Sequence, residues 1–125
     1  MSDITVEATD TGRKAYRVVP DPDDPIILQL DGKLCRVLGI SATGFSISGD
    51  VVESGRRYAF TLDLPTSRRP LSGYVDVTLA RDRSLLHCLF ANLQADDVEA
   101  VHRYVLVRQK EAIRSLRQRG GLSVL

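Results

Sequence analysis

Apolar and polar residues alternate along several short stretches in the middle of the chain. The alternation is clearest from Tyr58 to Leu64 and from Leu71 to Leu79, and each stretch predicts a half-buried strand. Shorter apolar runs predict further strands at 26–30, 33–41, 45–48 and 85–91. Asp31 and Gly32 form a two-residue connection suited to a type I′ turn. Short strands joined by tight turns predict a small antiparallel β-barrel or sandwich.

The hydrophobic period becomes helical after residue 95. Apolar residues then recur at helical spacing, at Val98, Val101, Val105, Ala112, Ile113 and Leu116. The pattern predicts a helix over about 96–118 whose apolar face packs on the barrel. Asp96 and Glu99 predict a capping box at its start, and Gly120-Gly121 predicts its end. The fold class is therefore mostly β with one C-terminal α-helix.

The predicted domain spans residues 13–119, with its strands within about 26–92. Residues 1–12 are polar and are expected to form a flexible N-terminal arm, and residues 120–125 are expected to form a tail. Residues 18–25 hold three prolines and three aspartates, which predict an extended, exposed connector. A chain of 125 residues fits this one-domain organisation.

Composition excludes several kinds of partner. The net charge of +1 gives no overall attraction for nucleic acid or anionic membrane, so an anion site must be a local cluster. The start lacks the features of a signal peptide, and no apolar run approaches the roughly 20 residues that span a bilayer. We expect a cytoplasmic protein without membrane insertion. Cys35 and Cys88 lie in apolar runs without CxxC spacing, so we expect buried reduced thiols and no metal or cofactor.

Two short segments carry the candidate chemistry. Residues 13–17 read Arg-Lys-Ala-Tyr-Arg, and residues 39–44 read Gly-Ile-Ser-Ala-Thr-Gly, a small-residue corner between two apolar runs. Alternation places Gly39 and Ser41 on the same face of their strand. Together the segments predict an anion clamp that faces a tight backbone platform.

These segments resemble the PilZ domain, a bacterial receptor domain for the second messenger cyclic di-GMP, whose signature is RxxxR followed by (D/N)xSxxG. Arg13 and Arg17 match the first element, Ser41 and Gly44 match the second, and Gly39 stands where the family has Asp or Asn. The resemblance covers roughly residues 12–116 and implies a small β-barrel with one C-terminal helix. The ligand-binding residues it implies are Arg13, Lys14, Arg17, Gly39, Ser41 and Gly44.

The resemblance implies a nucleotide-binding protein that relays cyclic di-GMP to an unidentified protein partner in motility, biofilm or secretion. We expect a single-domain effector that is a monomer or weak dimer. Gly39 has no acceptor for the guanine edge, and loss of one hydrogen bond to a charged group, about 1.5–3 kcal/mol, weakens binding about ten- to a hundredfold. The alternative is a divergent adaptor that does not bind the nucleotide and acts through protein contacts.

Plainer interpretations stay open beside these. The basic run at 13–17 could be a solvated charge cluster, and the residues of 39–44 could be what a tight barrel corner requires. We expect no enzyme, because Gly39-Ile40-Ser41 departs from GxSxG by a late second glycine, and His87 and His102 lack an acid partner or ligand spacing. We expect no nucleic-acid binding, because aromatic residues are not interleaved with a basic stripe.

Overall fold

The computed structural model describes residues 17–124, and the side chains of residues 17–116. Seven strands form one antiparallel sheet, in the order β2-β1-β5-β6-β7-β4-β3, and one helix follows. The elements are β1 (Ile27–Leu30), β2 (Lys33–Cys35), β3 (Gly39–Ser41), β4 (Gly44–Ser48), β5 (Arg56–Asp63), β6 (Leu71–Leu79), β7 (Leu85–Ala91) and α1 (Ala95–Val124).

The connection between β2 and β3 forces the sheet to curl. These strands are the two edges of the seven-stranded sheet, which in a flat sheet would lie about 29 Å apart at a strand spacing of about 4.8 Å. The chain from Cys35 to Gly39 spans at most about 14 Å. The sheet therefore curls into a half-barrel whose two edges approach each other, and the predicted fold class, a PilZ-like antiparallel β-barrel with one C-terminal helix, is confirmed.

The prediction of one continuous strand over residues 33–41 is wrong, because the chain leaves one edge of the sheet at Cys35 and joins the other edge at Gly39. Alternation of residue types does not reveal such a crossing. The β1–β2 turn agrees with the prediction, since Asp31 and Gly32 both have positive φ, 53° and 78°, as a type I′ turn requires.

The barrel core follows the predicted alternation. In β5 and β6, Phe60, Leu62, Val75 and Val77 are buried, while the residues between them face outward. Phe60 also packs against Phe45, and the two rings meet edge to face with centroids 6.0 Å apart.

Helix α1 begins at Ala95, one residue before its predicted cap, Asp96. The carbonyl of Gln94 accepts the N–H groups of Asp97 at 3.0 Å and Val98 at 2.9 Å, so Gln94 precedes the first turn. Asp96 is already within the helix, and the predicted capping box is wrong. The acidic residues of this turn still favour the helix, because they lie at the positive end of its dipole.

The predicted end of the helix at residue 118 is also wrong. The helix continues through Gly120 and Gly121 to Val124. A glycine inside a helix costs only about 1 kcal/mol relative to alanine, and residues 122–125 include no proline that would break the helix.

Among the described side chains of the helix, those that pack on the barrel lie in its first half. Val101, Tyr104 and Val105 are buried there, whereas Ile113 and Leu116 are 46% and 64% exposed. Ala112 is exposed as well, and so is Val98 in the first turn, so four residues of the predicted buried face lie on the surface. The three later ones lie there because the helix extends beyond the sheet that would cover them.

The two cysteines differ. Cys88 is fully buried, and burial raises the pKa of its thiol to about 12. Cys35 is only half-buried on edge strand β2, so the prediction of a buried thiol is confirmed for Cys88 and not for Cys35. Between residues 17 and 124, no helix is long and apolar enough to cross a membrane. Within the same residues, no group of three His, Cys, Asp or Glu side chains could hold a metal ion.

Candidate functional site

Arg17 is held beside strand β3 by its neighbour in the sequence. Val18 and Ile40 form an antiparallel bridge in which each N–H donates to the other residue's carbonyl at 2.9 Å. Val18 is buried at 6% exposure, although the connector that contains it was predicted to be exposed. The bridge leaves the Arg17 side chain exposed on the outer surface of the barrel.

The stem of Arg17 lies across Gly39. A Cβ atom on Gly39 would be 3.1 Å from Cδ of Arg17 and 3.3 Å from its Cγ. Arg17, the last residue of the first segment, therefore contacts Gly39, the first residue of the second segment. Gly39 has no positive φ, so the glycine is not demanded by its backbone conformation.

A row of polar side chains continues from Gly39 across the outer face. Gly39 is paired with Ser46 of β4, Ser46 with His87 of β7, and His87 with Thr78 of β6. Directly paired residues point to the same side of a sheet. The hydroxyl of Ser46 would be 3.2 Å from a Cβ on Gly39.

His87 is the titratable group of this row. Burial, and after it the charge of Arg17, lower the pKa of His87 from its usual 6.5. The imidazole is therefore neutral at neutral pH, with one nitrogen free to donate and the other to accept.

Ser41 has a structural task in the β3–β4 turn. Its Oγ accepts the N–H of Thr43 at 3.2 Å and lies 3.1 Å from the Thr43 hydroxyl. The side chain is buried at 4% exposure. Such a bond stabilises a tight turn, and a serine hydroxyl retains capacity for one further partner.

Gly44 is required by close packing of two strands. It pairs with Leu89 of β7, and a Cβ on Gly44 would overlap the carbonyl oxygen of Cys88. Its φ is not positive. The tight-corner interpretation therefore holds for Gly44 through backbone contact and not through backbone conformation.

The structure thus brings together four of the six predicted ligand residues, namely Arg17, Gly39, Ser41 and Gly44. Arg13 and Lys14 lie outside the described residues, so their placement stays a prediction.

Sequence reasoning missed Ser46 and His87 as members of this surface. The signal was present in the period-two pattern, which places Ser46 on the face opposite Phe45 and Ile47. His87 was discounted because no acid or metal ligand stands near it in the sequence. Its neighbours come from other strands, and only the pairing of the strands reveals them.

A second concave region, of about 560 Å³, lies elsewhere on the barrel and includes Arg56 and Arg57. Arg57 makes two hydrogen bonds to the carboxylate of Asp76, at 2.7 and 3.1 Å, and Arg56 lies 3.6 Å from the carboxylate of Glu53. Because its arginines already have acidic partners, this region is a weaker candidate for an anion than the surface around Arg17.

No protein-family model matches the chain, and no curated protein sequence matches it. Solved structures do share its fold. The Bacillus subtilis inhibitor of motility MotI/DgrA superposes with a TM-score of 0.62 at 18% identity, over 82% of this chain and 53% of that protein. Escherichia coli YcgR in complex with c-di-GMP superposes with a TM-score of 0.60 at 15% identity, over 85% of this chain and 50% of that protein.

The chain therefore spans about half the length of the solved proteins it matches. At these identities the likeness concerns the fold. It agrees with the resemblance found in the sequence, and the chain has a PilZ-like fold.

Proposed function

We propose that this domain binds cyclic di-GMP on the surface formed by Arg17 and the β3–β4 hairpin, and relays the bound state to a protein partner. The observation that carries the proposal is the contact of the Arg17 stem with Gly39. It brings Arg17, from one signature segment, against Gly39, from the other. The shared fold with YcgR, solved in complex with c-di-GMP, supports the same ligand class.

The guanidinium of Arg17 suits a cyclic dinucleotide. An arginine fork can bind two phosphate oxygens at once and can stack on a purine face. The side chain is exposed and available to a ligand. We propose that Arg13 and Lys14, four and three residues earlier in the sequence, contribute to the same site.

Ser46 supplies a partial substitute for the missing carboxylate at position 39. Its hydroxyl lies beside the place where an Asp side chain would begin. Ser46 is only 3% exposed, so it accepts a hydrogen bond from the guanine edge when the Arg17 stem moves aside. A neutral hydrogen bond contributes about 0.5–1.5 kcal/mol, against about 1.5–3 kcal/mol for one to a charged group. The site therefore binds the nucleotide more weakly than a site with Asp.

Isothermal titration with cyclic di-GMP tests the proposal, with GTP and linear pGpG as controls for selectivity. We expect selective binding by the wild type and a loss of at least about tenfold in Arg17→Ala, because one charge-assisted contact is removed. The matched control is Arg68→Ala, which removes another exposed arginine, from a loop outside the motifs. Equal binding by wild type and Arg17→Ala would show that the clamp is assigned wrongly.

A divergent adaptor that does not bind the nucleotide is the second candidate. The observation that favours it is that two features of the platform are already occupied: the Arg17 stem lies in the space over Gly39, and the Ser41 hydroxyl bonds Thr43. If titration of the wild type gives no heat of binding at high nucleotide concentration, this function is favoured. Either function places the output in motility, biofilm or secretion, through protein contacts.

We infer a binding role and not catalysis. The partner of the Ser41 hydroxyl is Thr43, whereas a nucleophilic serine needs a base within hydrogen-bond reach.

A further inference from the structure

Helix α1 is longer than the barrel beneath it. Its 30 residues correspond to about 45 Å at about 1.5 Å per residue. The buried contacts end near Val105, and every described side chain from Lys110 to Leu116 is exposed. A helix segment of more than two turns therefore projects beyond the sheet. We call residues 106–116 the projecting segment.

The root of the projecting segment is fixed to the barrel. Nε of Arg108 donates to the carbonyl of Val19 at 2.9 Å, and its Nη1 donates to the carboxylate of Glu111 at 2.8 Å. Arg108 is thus already paired. The bond to Val19 holds the helix against the connector that follows Arg17, and the bond to Glu111, one turn along the same helix, orients the guanidinium.

The projecting segment carries an apolar stripe with the spacing of a coiled-coil seam. Leu106, Gln109, Ile113 and Leu116 follow one another at intervals of three, four and three residues, the spacing of a and d positions. Leu106 is 44% exposed, Ile113 46% and Leu116 64%. Nothing in the described part of the chain covers these side chains, and burial against a partner helix would stabilise them.

Basic residues line one side of this stripe. Arg103 and Lys110 occupy e positions of the same heptad, Arg114 lies beside them, and the sequence continues with Arg117 at the next e position. Residues 103–119 contain six basic residues and one acidic residue, although the net charge of the chain is only +1. The remaining residues are therefore net negative, and positive charge is concentrated along the end of the helix.

We propose that the projecting segment is a docking surface for an acidic amphipathic helix of another protein. Apolar residues of that helix would cover Leu106, Ile113 and Leu116, and its acidic residues would pair with Lys110 and Arg114. Such pairs set partner choice between helices. The proposal does not depend on nucleotide binding, because none of these residues belongs to the surface around Arg17.

Charge argues against a second copy of this chain as the occupant. In an antiparallel pair of identical helices, e positions face e positions, so Lys110 and the arginines of the same row would oppose basic residues. In a parallel pair they would face g positions, where this helix has Val105, Ala112 and Arg119. Neither arrangement provides an acidic partner.

The residue pattern also disfavours an anionic membrane. Arg103, Lys110 and Arg114 lie on one side of the stripe, and Arg108 on the other side is already bonded to Val19 and Glu111. Three large apolar side chains offer little area for insertion.

Binding of designed helical peptides to the full chain, without nucleotide, tests the proposal. One three-heptad peptide carries Leu at a and d and Glu at e and g, and its counterpart carries Lys in place of Glu. We expect the acidic peptide to bind at least about tenfold more tightly at low salt, with the difference reduced at high salt. Fluorescence anisotropy of labelled peptides measures both affinities.

Two substitutions examine the apolar stripe. Ile113→Ser and Leu116→Ser should each weaken the acidic peptide about tenfold, because each removes a large apolar contact. Both side chains are exposed, so the fold is retained. Leu34→Ser is the matched control, since Leu34 is 73% exposed on the far edge of the sheet, and it should leave peptide affinity unchanged.

Several outcomes would overturn the proposal. Equal affinity for both peptides, or absence of binding to the acidic one, would remove the argument from charge. Sedimentation as a dimer that Ile113→Ser dissociates would assign the surface to a second copy. Preference for vesicles of phosphatidylglycerol and phosphatidylcholine over the acidic peptide would assign it to a membrane.

Discussion

Strands β3 and β4 each begin with a glycine at a position of the second motif, but packing constrains the two glycines very differently. Gly44 faces the backbone of β7, where a Cβ would overlap the Cys88 carbonyl. Gly39 faces the stem of one exposed arginine and one serine hydroxyl, at 3.1 and 3.2 Å from a Cβ. A backbone neighbour cannot yield, whereas a flexible side chain can. The comparison separates a glycine that the fold requires from one that the fold merely permits.

The largest expected effect is on stability at Gly44. Gly44→Ala should lower the free energy of unfolding by about 3 kcal/mol or more, because β4 must separate from β7 to admit the methyl group. Gly39→Ala is the matched substitution and should change it by no more than about 1 kcal/mol in either direction. Urea unfolding of both variants measures the difference. Equal destabilisation would contradict the distinction between the two glycines.

The next effect concerns nucleotide affinity at Gly39. Gly39→Asp supplies a charged acceptor in place of the neutral Ser46 hydroxyl and should tighten cyclic di-GMP binding about tenfold, provided that the stem of Arg17 moves by a few tenths of an ångström. Isothermal titration compares it with Gly39→Ala, which fills the same space without an acceptor. Similar affinities for Asp and Ala at this position would mean that Ser46 already satisfies the guanine edge, or that the ligand does not reach it.

A smaller effect is expected at Ser41, between the two glycines. Ser41→Ala removes the hydroxyl that accepts the Thr43 N–H, and should cost about 1 kcal/mol of stability. Ser48→Ala on the same hairpin is a control, since its hydroxyl bonds only the exposed Asp50. Thermal unfolding measures both. Loss of nucleotide binding in Ser41→Ala without loss of stability would make the serine a ligand contact and not a turn residue.

The smallest effect is a pH dependence from His87. Its pKa is lowered in the folded state, by burial first and then by Arg17, so the unfolded chain takes up the proton more readily. The free energy of unfolding should therefore decrease as the pH falls below about 6.5. His87→Gln should remove this part of the slope, and His102→Gln, at an exposed site on the helix, serves as the control. Urea unfolding at pH 7.5 and 5.5 measures the change in the free energy of unfolding for each protein. An unchanged slope in His87→Gln would contradict the assignment.

Most of the strands could be predicted from residue types, because alternation reports directly on which side of a strand is buried. Tyr58 to Leu64 and Leu71 to Leu79 kept their predicted faces, apart from Leu79 at the exposed end of β6. The prediction of one strand over 33–41 was wrong. Within these residues the chain crosses from one edge of the sheet to the other, while the alternation of residue types continues. The length of the helix and the extent of its buried face were predicted wrongly. An apolar stripe can pack on the protein's own core or on a partner, and both cases have the same residue pattern.

The candidate site also has features that follow from the sequence and features that only the fold creates. The sequence by itself determined the two motif segments, the turn at Asp31-Gly32 and the concentration of positive charge in the helix, since each depends on residues close together in the chain. Only the tertiary structure decided that Arg17 lies over Gly39, that Ser46 and His87 join that surface, and that Gly44 must lack a side chain. The physical reason is that these contacts join strands distant in sequence, and barrel closure sets their distances.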